Sequence, residues 1–210
     1  YLLEECSPTS PGNLEWVLEQ LSGSLKLPQD KPLYDSINQL AASIAPEDCQ
    51  VYYLPFLYGS NAHPLAKACF LGLTSYHTSA HMLRAVFEGV AFSHRVHIDR
   101  LLTARTTPAI VRMAGGAANS PVWVQMFADV LNLPIQRVSG ARELGALGSA
   151  IAAAVAAGLY PDYTRAIQAM VRVSEPVQPD PAAHAVYQKK FELYQALSAA
   201  LDPVWDRFTV

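Results

Sequence analysis

The sequence predicts an α/β fold in which helices cover a sheet, and three observations carry that expectation. From residue 109 onward, strand-like and helix-like segments alternate as strand, helix, strand, helix, the order that builds layered α/β structures. Apolar residues make up 51% of the 210 residues and charged residues 16%. That is too apolar for a disordered chain and long enough for one well-cored domain. Finally, an apolar strand over residues 109–114 runs into Gly115-Gly116 and then a helix, and ligands of open α/β sheets bind at such strand ends.

The elements follow in order. Residues 7–13 read as a turn-rich segment, and a short helix is expected over 14–21. Leu33, Ile37, Leu40 and Ile44 recur at helical spacing, which predicts a helix over 33–44. Residues 51–57 read as an aromatic-rich buried strand broken by Pro55, and 69–73 as a second short strand. The longest helix is expected from Thr78 or Ser79 to Leu102. Leu83, Val86, Phe87, Val90 and Ala91 share one of its faces, and Arg84 and Glu88 stand four apart on another. After the strand at 109–114 come a helix over 120–131, a strand at 135–138 and a helix over 144–157 with Gly158 as its stop. Helices over 163–170 and 182–201 close the chain; Tyr187, Phe191, Tyr194, Leu197 and Leu201 form the core stripe of the last, and Pro203 is expected to end or kink it.

Net charge is −3, with no block of like charges, so no nucleic-acid surface is expected. No apolar run approaches the roughly 18 to 20 residues of a membrane span, and the first residues lack the basic and apolar regions of a signal peptide. Cys6, Cys49 and Cys69 are odd in number and show no CxxC spacing, which points to reduced thiols in a cytoplasmic protein. The chain begins without methionine and reads as one met in mid-sequence.

Two stretches carry chemistry. The turn Gly115-Gly116-Ala117-Ala118-Asn119-Ser120 lets a ligand approach the backbone closely, and the N–H groups of the helix behind it attract polar ligand groups. It is neither a P-loop nor a dinucleotide fingerprint, because the Gly-Lys-Ser/Thr and GxGxxG spacings are missing. The second stretch is Ala68-Cys69-Phe70-Leu71-Gly72-Leu73, then seven residues, then His81-Met82-Leu83-Arg84-Ala85-Val86-Phe87-Glu88. It resembles the second signature of the FGGY carbohydrate kinases: a small residue, an apolar residue and Gly-aliphatic, then a polar-apolar pair, a small residue and an acid or amide. Gly115-Gly116-Ala117, with Ser120, Trp123, Gln125, Ala128 and Asp129 behind it, resembles the family's adenine-side loop. Glu143-Leu144-Gly145-Ala146-Leu147-Gly148 resembles the helix that follows it. The stretch from Pro55 to Asn61 is similar to the L-xylulose kinase branch. Gly59-Ser60-Asn61 and Ala66-Lys67-Ala68 depart from the family's common Gly-Glu-Arg and Ala-Arg-Gly, in a segment facing the cleft between lobes.

The resemblance implies an actin-like, ribonuclease-H-like ATPase domain with a central sheet flanked by helices. It implies that residues 1–210 form the C-terminal, nucleotide-binding domain without its first strands. In the family the catalytic Asp belongs to the sugar-binding N-terminal lobe and the phosphate loop lies near the start of the C-terminal lobe, and neither segment is found in this sequence. The activity implied for the whole protein is transfer of the ATP γ-phosphoryl group, with Mg²⁺, to a hydroxyl of a small sugar or polyol, xylulose being the best-matched ketose. The sugar would bind the other lobe, and a homodimer is expected. No residue of this chain is assigned as catalytic or metal-binding, and the chain alone is expected to be inactive. The expected nucleotide residues are Gly115, Gly116, Ala117, Asn119, Ser120 and Glu88.

Plainer readings stand beside these. Asn119 or Ser120 could simply cap the next helix. Glu88 could take a nucleotide-side role or form a helix-surface pair with Arg84, and Asp129 reads as a structural acid. Glu143 would cap its own helix, Gly145 and Gly148 would permit close packing, and Trp123 would belong to the core. His77 and His81 read as helix-start residues and Lys67 as a solvated loop lysine. Two other functions share the fold: a non-catalytic actin-like nucleotide-binding module, and a degenerate kinase-like sugar sensor, which the departures at Ser60, Asn61 and Lys67 keep open.

Overall fold

A computed structural model describes residues 3–6, 11–21, 32–140 and 143–208. Its helices are α1 (Pro11–Leu21), α2 (Leu33–Ala42), α3 (Ser79–Leu102), α4 (Pro121–Leu131), α5 (Leu144–Ala156), α6 (Tyr163–Met170) and α7 (Pro181–Trp205). Its strands are β1 (Tyr52–Leu54), β2 (Cys69–Leu71), β3 (Val111–Met113) and β4 (Ile135–Arg137). The helices and strands expected from periodicity all form. The turn-rich reading of 7–13 gives way where described, since α1 already begins at Pro11; positions 7–10 lie outside the described residues.

Among the described residues the sheet is in two pieces. β1 pairs antiparallel with β2, Tyr52 opposite Leu71 and Leu54 opposite Cys69. β3 pairs parallel with β4, Val111 opposite Ile135 and Met113 opposite Arg137. Antiparallel bridges from Ile135 to Val177 and from Val138 to Val173 lay the chain after α6 along β4.

Helix α3 ties the pieces together, packing on β1, α1, α2, α4 and α7. Leu83, Val86, Phe87, Val90 and Ala91 are all at most 1% exposed. Burying each of the larger ones contributes about 1.5–3 kcal/mol. Phe87 stacks on Trp123 of α4 with ring centroids 4.5 Å apart, and the Trp123 indole N–H donates to the Phe87 carbonyl at 3.0 Å. Trp123 is thus a core residue. Gly89 lies where α3 crosses β1; a Cβ there would sit 2.1 Å from the Tyr53 carbonyl oxygen, so only glycine permits this approach.

Pro203 does not end the last helix, which continues to Trp205. Proline in a final turn removes only one late hydrogen bond, and the burial of Trp205 docks that turn. Gly145 and Gly148 do not mediate tight packing, because a Cβ at either would meet nothing within 4 Å. Gly158, with φ of 74°, takes the left-handed conformation that stops α5.

Candidate functional site

The turn after β3 is built from two glycines with different duties. Gly115 has φ 89° and ψ −172°, a conformation open essentially to glycine alone. Its carbonyl accepts the Ala118 N–H at 3.1 Å, closing a 3-10 turn over Gly116–Asn119. Gly116 faces open space: a Cβ added there meets nothing within 4 Å. Ser120 then caps α4, its Oγ accepting the Trp123 N–H at 3.0 Å, with Pro121 in the first helical position. The cap is therefore Ser120 and not Asn119.

A cavity of about 700 Å³ opens over this turn, within the size range of small-molecule sites. Gly116, Ala117, Asn119 and Ser120 line one side, and Leu14, Glu15, Tyr34, Asp35 and Asn38 of α1 and α2 line another. The buried side chains of Phe87 and Trp123 underlie it, and Gly140 and Glu143 complete its lining. Glu143 occupies the N-cap position of α5 without a side-chain capping bond. The structure thus brings together four of the six expected nucleotide residues. Gly115 shapes the turn from behind them.

Glu88 is elsewhere, which corrects the expectation of a nucleotide-side role. It is 1% exposed and faces away from the cavity lining into a buried ion cluster. One carboxylate oxygen accepts from Arg84 Nε at 2.7 Å and the other from Lys190 Nζ. The pair with Arg84 is therefore real but buried, not on the helix surface. Arg84 also donates to the Ala41 carbonyl at 3.2 Å, to the Ile44 carbonyl and to the Tyr187 hydroxyl at 2.6 Å. Lys190 donates to the carbonyls of Pro46 and Cys49 at 3.0 and 2.8 Å. Burial works against the Arg84 charge, but Glu88 and Tyr187 together outweigh it and hold the guanidinium above its usual range. Burial, then Glu88, also raises the Tyr187 phenol, which stays neutral.

Asp129 is structural. Its Oδ1 accepts from Gln125 Nε2 and from the Asp180 N–H, both at 2.8 Å, and burial raises its pKa. His77 and His81 sit at the start of α3, where His81 Nδ1 accepts the Thr78 N–H at 3.2 Å. Lys67 is exposed. Ser60 and Asn61 line a smaller cavity of about 210 Å³ beside α3 and α7. Sequence reasoning missed Glu15, Tyr34, Asp35 and Asn38. They are ordinary polar positions on short helices, and only folding brings them opposite the glycine turn.

Fold and turn together define a lobe of the actin-like, ribonuclease-H-like α/β class, as in the xylulose kinase from Rhodospirillum rubrum. That structure superposes with a TM-score of 0.81 at 29% identity, over 96% of this chain and 40% of that one. The chain belongs to the FGGY family of carbohydrate kinases: the family's C-terminal domain matches residues 3–157. It is 41% identical over 201 residues to the L-xylulose/3-keto-L-gulonate kinase of Escherichia coli (strain K12), covering 96% of this chain and 39% of that protein. It is 38% identical over 201 residues to a probable L-xylulose kinase of Pasteurella multocida (strain Pm70). The chain spans about two-fifths of the length of these relatives. Sugar kinases of this family use ATP and Mg²⁺. No described helix is long and apolar enough to cross a membrane.

Proposed function

We propose that this chain is the nucleotide-binding lobe of a kinase that transfers the ATP γ-phosphoryl group to a hydroxyl of a small ketose or polyol. The observation that carries the reading is the cavity over the Gly116 turn, which gathers Gly116, Ala117, Asn119 and Ser120 against α1 and α2. The names of the relatives, L-xylulose kinases first, make xylulose the leading substrate class.

The residues present fit a nucleoside. Open space over Gly116 lets a flat ring lie against the backbone, in a cavity of suitable size. ATP supplies the phosphoryl group, and Mg²⁺ offsets the charge of its phosphates. Among the described residues no three His, Cys, Asp or Glu side chains are grouped to hold a metal ion. This chain's part is to grip the nucleoside end and to form one wall of a cleft that shuts out water. The sugar and the base that accepts its proton belong to the other lobe of a longer, cytoplasmic protein.

Titration calorimetry of the chain with ATP and ADP tests this. The expected result is weak binding, in the millimolar range or about 4 kcal/mol, abolished by Gly116→Val while the melting temperature stays close to that of the parent. Binding that Gly116→Val leaves intact would place the nucleotide elsewhere.

A further inference from the structure

Ser120 makes a second contact besides its helix cap. Its Oγ lies 2.6 Å from Oδ1 of Asn38 on α2, 82 residues away in sequence. That length suits an O–H···O bond rather than an N–H···O bond, which runs nearer 2.9–3.0 Å. The hydroxyl therefore donates and the amide oxygen accepts. With Oδ1 accepting from Ser120, the amide is held in one orientation, and its Nδ2, a donor, is left for a ligand. Both residues line the large cavity. Asn38 stands on a firmly seated helix, for its neighbours Ile37 and Ala41 are 0% exposed. Glu15 and Asp35 line the same side with carboxylates, which accept. A wall with an oriented amide donor beside acceptors suits a ligand carrying an acceptor nitrogen beside donor groups. Adenosine has that pattern.

We infer that Asn38 is a base-reading residue, its Nδ2 donating to a ring nitrogen of an adenine nucleoside lying against Gly116 and Ala117. Ser120 is its positioning residue. The inference rests on the cavity being the nucleoside site.

The test titrates the 210-residue chain with adenosine and its 1-deaza, 3-deaza and 7-deaza analogues, following backbone amide shifts by NMR. One analogue is expected to bind about fivefold more weakly than adenosine, the effect of one lost neutral hydrogen bond. Asn38→Asp keeps an acceptor for Ser120 and replaces the donor with an oxygen. It should lower adenosine affinity at least to that of the disfavoured analogue, with the melting temperature retained. Asn38→Leu should erase the discrimination without adding charge. Equal binding of all three analogues by the parent chain, or discrimination that survives in Asn38→Leu, overturns the inference. So does unchanged adenosine affinity in Asn38→Asp. Failure of the underlying reading is distinguishable: the parent chain would then bind no adenosine, or Gly116→Val would not weaken its binding.

Discussion

Around Gly89 the molecule is closed, and around Gly116 it is open. At Gly89 a Cβ would meet the Tyr53 carbonyl oxygen at 2.1 Å, whereas at Gly116 it would meet nothing within 4 Å. The charged residues near the two glycines differ in the same way. Arg84, Glu88 and Lys190 are at most 6% exposed and spend their hydrogen bonds on one another, on Tyr187 and on the carbonyls of residues 41–49. Glu15, Asp35 and Glu143 line a cavity of about 700 Å³. The contrast teaches that the signature stretch ending in Glu88 serves the interior, while the glycine turn leaves its backbone open beside a cavity. A polar motif saturated by the protein has no hydrogen bonds left to offer outside it.

The largest expected effect breaks the closed region. Glu88→Ala removes the carboxylate between two buried cations, and stranding such charges costs about 3–5 kcal/mol. Urea unfolding should show that loss; a change below about 1 kcal/mol would mean that water reaches the cluster. Next comes Gly89→Ala. Alanine gains about 1 kcal/mol over glycine in an ordinary helix, but here the methyl must push α3 off β1, and overpacking costs about 1–3 kcal/mol. The expected net result is a lower midpoint, and a higher one would show that α3 and β1 are not in such close contact. The smallest effect belongs to the open region: Gly116→Ala should change stability by no more than about 0.5 kcal/mol. Equal losses at Gly89 and Gly116 would erase the distinction between the two sites.

The order of helices and strands was legible in the sequence because it rests on local patterns. Apolar residues three and four apart on α3 and α7 marked buried faces, and Tyr187, Phe191 and Tyr194 are buried as that spacing requires. The Gly115-Gly116 turn was legible too, since a strand, two glycines and a helix are contiguous in the chain. What only the tertiary structure decided is who meets whom at long range. Glu88 has one partner four residues away and another, Lys190, 102 residues away; periodicity exposes the first and is blind to the second. Asn38 reaches Ser120 across 82 residues, from a helix whose polar face carries no signature. Hydrogen-bond periodicity leaves its trace within a turn or two of the chain, whereas a cavity wall is assembled by packing, and packing constrains volumes and distances rather than spacing in sequence.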